Sequence, residues 1–222
     1  MPFLLCLVYY KKFINKVNKV FFLYTIFIAV SIIVGFSFLY IFNSPGNYYF
    51  VIRIYNVLEY TILAYLFSFY IKKKAVRKIL YFSIIPFWVF CLYDFLTTKE
   101  VTLAFVPLII EYFVLLVFII YFFFEVMQET VVEPIYNKAI FWISVAFIIN
   151  FSGNFFLFVY SKNSFNNEEF RRQYVIIYAT VTIVKNILLC ISILIKENQS
   201  TISPHHPIEI DLDPFHPIRN KT

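Results

Sequence analysis

The run 101-VTLAFVPLIIEYFVLLVFIIYFFF-124 decides the fold. In its 24 positions it holds a single charged residue, Glu111. A helix rises about 1.5 Å per residue and the hydrocarbon layer of a bilayer is about 30 Å thick, so a run of this length spans it. Five more stretches pass the same test, near 20–42, 50–71, 79–96, 140–160 and 174–195. Backbone polar groups in hydrocarbon must be satisfied internally, which makes each of them a helix. The expected architecture is all-α: a polytopic transmembrane helix bundle over 1–196, with six full spans and a partial N-terminal one. A cytoplasmic, mostly disordered tail follows over 197–222.

Composition agrees. The 222 residues are 61% hydrophobic and 14% charged, with a mean hydropathy of +0.77. A soluble domain would carry about 25% charged residues. A formal charge of +6 is compatible with nucleic-acid binding, but the charges stand in short clusters between apolar runs, which is a topology pattern. The bilayer is therefore the expected partner, and nucleic acid is not. With three glycines and no G-x-x-x-G pair, close right-handed crossings of that type are not expected, and packing should use aromatic and β-branched side chains. Cys6, Cys91 and Cys190 lie in apolar runs without metal-ligand spacing and read as inert thiols.

Orientation follows from lysine and arginine. Lys11, Lys12, Lys16 and Lys19 share one side with Lys72, Lys73, Lys74, Arg77 and Lys78, and that side is expected to be the cytoplasm. Opposite loops are poorer: 43–49 has no basic residue, 97–100 only Lys99, and 161–173 balances Lys162, Arg171 and Arg172 with Glu168 and Glu169. The loop 125–139 is an acidic exception on the cytoplasmic side, with Glu125, Glu129 and Glu133. The stretch Pro2 to Tyr10 reaches only partway across, and the following Lys11 and Lys12 are in the wrong place for a signal peptide. It is expected to be the remnant of a longer first helix, the alternative being an interfacial segment. In the tail, His205, His206 and His216 stand with Glu209, Asp211 and Asp213 among four prolines. No element there fixes ligand geometry, so the tail reads as solvated chain, and no metal or cofactor is expected.

The chemistry-bearing residues lie at depth. Counting about 1.5 Å per residue puts Glu59, Glu111, Asn150 and Lys185 near one midplane level on four helices. Ionisable groups there cost roughly 2.5–3.5 kcal/mol each and mark a working site by default. Arg53, Asn56 and Glu59 follow each other at three-residue spacing, flanked by Tyr55 and Tyr60. Pro107 precedes Glu111 by one turn and is expected to kink the helix there. Asn150 and Asn154 share a face around Ser152 and Gly153, a local opening fit for a ligand, a water or a neighbouring backbone. Tyr178, Thr182, Lys185 and Asn186 form a polar stripe. Pairing of Lys185 with Glu59, Glu111 or both is the simplest arrangement, and two carboxyls on one lysine can hold an exchangeable proton. A buried salt bridge with interhelical amide bonds that only fixes packing is the other reading.

Enzyme signatures are absent: there is no G-x-S-x-G, H-E-x-x-H or P-loop, and no histidine falls inside a span. Catalysis would require Glu59 or Glu111 as acid or base, and nothing demands it.

Three stretches carry a resemblance: Tyr55-Asn-Val-Leu-Glu59-Tyr60, Phe141-Trp142 through Asn150-Phe-Ser-Gly-Asn154-Phe, and Lys185-Asn186-Ile-Leu188. With their spacing over most of 1–195, the chain resembles a family of small bacterial seven-helix membrane proteins with no established activity. They are similar to seven-helix sensor modules found ahead of histidine kinases. In that family the first helix ends in a segment similar to Leu4–Lys12, and His and Asn are commoner where Tyr178 and Thr182 stand. The resemblance implies a sensory or ligand-binding module in the inner membrane. No kinase domain is read in the sequence, so its output is expected to need a cytoplasmic or membrane signalling partner. A small proton-coupled transporter using Glu59, Glu111 and Lys185, and a structural subunit of a membrane complex, are the alternatives.

Overall fold

The computed structural model describes residues 2–9, 16–43, 45–97, 105–128, 134–164 and 167–195. The tail, with its histidines and acidic residues, lies outside them, as do Lys11, Lys12, Lys99, Glu129 and Glu133. The described chain is helical: α1 Pro2–Val8, α2 Lys16–Phe36, α3 Pro45–Ser68, α4 Lys74–Thr97, α5 Phe105–Met127, α6 Ala139–Ser164 and α7 Glu168–Leu194. Six of them, α2 to α7, are long and apolar enough to cross a membrane, which makes this a multi-pass membrane protein with a short additional N-terminal helix.

Local chemistry sets the ends. Asn167 caps α7, its Oδ1 accepting from the amides of Glu169 and Phe170 at 2.9 and 3.3 Å. Glu168 and Glu169 in the first turn complement the helix dipole. The other end of the same span order is irregular: α2 continues into a π-helical turn, Ser37–Ile41, closed by Phe42 N–H donating to Ser37 C=O at 3.1 Å. Several helices run longer than the apolar runs alone require. Lys74, Arg77 and Lys78 form the first turns of α4, and Arg171 and Arg172 lie exposed on α7, where a loop was expected. At 27 residues α7 is about 40 Å long, so its charged start extends past a hydrocarbon layer of about 30 Å. Pro107 stands in the first turn of α5, where its missing N–H breaks no helix bond, and the expected kink is not needed.

The helices pack in a ring. α2 lies on α3, α3 on α5, α5 on α6 and α6 on α7, and α1 sits between α7 and α2. α4 stands outside the ring, against α3 and α5. Half of the spanning window of α6 is buried but only 11% of that of α4, which fixes α6 as central and α4 as peripheral. Aromatic side chains fill the ring, as expected from a chain with few glycines. Phe147 stacks on Phe151 at 5.4 Å, and Tyr24 meets Phe147 edge-on at 5.4 Å. Tyr112 packs on Phe151 at 4.7 Å. α6 and α7 approach closely at Gly153, where Val181 occupies the space a side chain would take. The opening expected at that position therefore admits a neighbouring helix.

Candidate functional site

Glu59 is the centre of the polar layer. It lies on the face of α3 turned into the ring and is 2% exposed. Tyr24 Oη of α2 donates to its Oε1 at 2.8 Å, and the Tyr55 hydroxyl, one turn away on α3, lies within reach of the same carboxyl. Tyr55 is held by stacking on Phe27 at 5.3 Å, with the rings 3° from parallel. From α7, Lys185 enters the same interior, and Glu59 is the group it interacts with electrostatically. From α5, Glu111 is fully buried and interacts with Glu59 in turn. Three ionisable residues on three helices thus converge.

They do not neutralise one another by contact. No nitrogen–oxygen approach of 4.0 Å or less joins Lys185 to Glu59 or Glu111, so Lys185 and Glu59 attract one another across a longer gap than a closed ion pair. Neither carboxyl oxygen of Glu111 has a hydrogen-bond partner among the described residues. Buried polar groups left without partners are costly, commonly about 1–3 kcal/mol each, and are rare in folded proteins.

The remaining predicted residues divide into three groups. Asn150 and Asn154 are buried on α6 and bond to each other, Asn154 Nδ2 donating to Asn150 Oδ1 at 3.1 Å. The Asn154 Oδ1 has no partner among the described residues. On α7, Tyr178 is exposed to the extent of 41% and lies one turn before the half-buried Thr182. Tyr178 also stacks on Tyr174 and interacts electrostatically with Glu59, so this edge of α7 leads toward the centre. Asn186 is half-buried beside Lys185. Arg53 and Asn56 go elsewhere: they turn away from Glu59 into a groove between α3 and α4. Tyr60, expected beside Glu59, shares a hydrogen bond with Ser83 at 2.6 Å and packs on Phe87 at 4.3 Å.

Sequence reading missed Tyr24 and Tyr112, both buried against the centre. Tyr112 could have been found from its place beside Glu111, whereas no signal singles out Tyr24. The chain has 18 tyrosines, and α2 carries no charged residue at depth to draw attention to its neighbours. Comparison of the chain with protein-family models, curated proteins and solved structures gives no match.

Proposed function

We propose that the protein is a ligand-binding sensory module of a bacterial cytoplasmic membrane, with its C-terminus in the cytoplasm and a separate protein as its output. On this reading it is a stand-alone relative of the seven-helix modules that precede histidine kinases. One observation carries it. Glu59 lies within electrostatic range of Lys185 on one side and of Glu111 on the other, on three helices, yet closes no ion pair. A salt bridge kept only for packing is expected to close, because the desolvation of both charges is offset only at contact. The tyrosine-bearing edge of α7, leading from Tyr178 to Glu59, is the approach we assign to a small or lipophilic ligand.

A second reading has its own support. Two carboxyls in mutual range, one without a hydrogen-bond partner, suit a shared proton, as a small proton-coupled transporter requires.

The test is thermal stability of the purified full chain against pH and a broad ligand panel, for wild type, Tyr24→Phe, Glu59→Gln, Glu111→Gln and Lys185→Met. A ligand that stabilises wild type and not the variants is the expected result. Proton-dependent flux in vesicles, lost in Glu59→Gln, would select the transporter. Absence of any stabilising ligand, with variants weakened at every pH, overturns both and leaves an assembly role.

A further inference from the structure

A second site lies outside the ring. Between α3 and α4, at the end opposite Lys72–Lys74, a groove of about 300 Å³ is open on one side and is walled by α5 at Pro107. Its sides are apolar, with Ile54, Val57, Trp88 and Leu92 among them. Three polar residues interrupt this lining. Arg53 of α3 and Asp94 of α4 both face the groove, and no ion pair of 4.0 Å or less joins them. The Arg53 guanidinium instead lies over the Phe95 ring, 5.6 Å from its centroid, which leaves its N–H edge for an anion. Deeper in, Asn56 is 2% exposed, and its Nδ2 donor has no partner among the described residues.

We propose that this groove binds one lipid of the surrounding bilayer, a zwitterionic phospholipid with a primary ammonium in its headgroup. The charges make the choice. One cation and one anion, not paired with each other, line the same groove, and their complement is a ligand carrying both signs. Phosphate matches the bidentate donor edge of Arg53, and a small ammonium with N–H donors matches the Asp94 carboxylate. A groove of about 300 Å³ is at the small end of ligand sites, with room for part of one hydrocarbon chain against Trp88. Asn56 offers its amide to an ester carbonyl below the headgroup. The inference is independent of the midplane reading, since neither Glu59, Glu111 nor Lys185 lines the groove.

Trp88 supplies the probe. The chain has two tryptophans, so Trp142→Phe leaves Trp88 as the sole tryptophan, read by excitation at about 295 nm, where tyrosine absorbs little. The full chain with that change is reconstituted in bilayers containing phosphatidylethanolamine, phosphatidylcholine or phosphatidylglycerol with brominated acyl chains, which quench on contact. Phosphatidylethanolamine is expected to compete best, by about five-fold over phosphatidylcholine, whose trimethylammonium has no N–H donor, the ratio one net hydrogen bond supplies. Asp94→Asn should erase its advantage over phosphatidylcholine, and Arg53→Gln should weaken both. Equal quenching by all three lipids would mean unselective annular lipid and would overturn the proposal. A preference for phosphatidylglycerol that survives Asp94→Asn would overturn it as well. The lipid comparison in the Trp142→Phe protein decides the matter even if a charge variant fails to fold.

Discussion

At Gly153 the Cβ of any larger residue would lie 2.8 Å from Val181 Cγ2, closer than carbon atoms approach, and 3.3 Å from its Cγ1, a tight contact. Val181 is β-branched on a helix and holds essentially one rotamer, so it cannot swing aside. Gly153→Ala should therefore destabilise the protein by about 1–3 kcal/mol through forced separation of α6 and α7. Val181→Ala in the same chain should restore most of the loss, as read by thermal unfolding in detergent. An additive double variant would mean that the two residues do not meet. The sequence showed Gly153 as an opening between Asn150 and Asn154, and that much was legible. What fills it was not, because the partner sits on another helix at a register no spacing rule encodes. Tyr24 illustrates the same limit from the other side. Its bond to Glu59 spans 35 residues, and nothing local distinguishes it from the other tyrosines.

Glu125 links two helices. It stands in the last turn of α5 and accepts from the main-chain amides of Lys72 and Lys73, both at 2.8 Å, just before α4 begins. A carboxylate on amides that lead into a helix start is favoured by hydrogen bonding and by the dipole together. As a topology signal Glu125 looked like an exception among lysines, yet it works as a fastener between elements. Glu125→Ala should cost about 0.5–2 kcal/mol, the range of a lost helix cap. Hydrogen exchange at the amides of 72 and 73 should accelerate while that of α6 stays unchanged. Uniform acceleration would mean a global loss of stability and would sink the local assignment.

Six spans and the short first helix were legible because a bilayer leaves an apolar run of this length little else to be. Their order around the ring was not, since each helix is greasy on nearly every face. Only the structure sets α4 outside. Its Phe82, Ile85, Val89 and Leu96 are 62–73% exposed, whereas Phe147 of α6 is wholly buried. Alanine at the four α4 positions should each change stability by less than about 0.5 kcal/mol. Phe147→Ala should cost about 3–5 kcal/mol. An α4 scan as costly as the α6 change would show that α4 is covered in the folded protein, by a second copy or another chain.

The π-helical turn at Ser37–Ile41 bears on how such a chain can change over time. A π turn holds one residue more than the α-helix it interrupts. Deleting a single residue there lets Phe42 N–H fall back to the ordinary bonding distance, and the preceding length of α2 keeps its facing toward α3. The same deletion in mid-helix would turn everything beyond it by about 100°, a whole residue's rotation. The far end of α2 is thus a place where the reading frame of packing, as distinct from that of translation, tolerates loss.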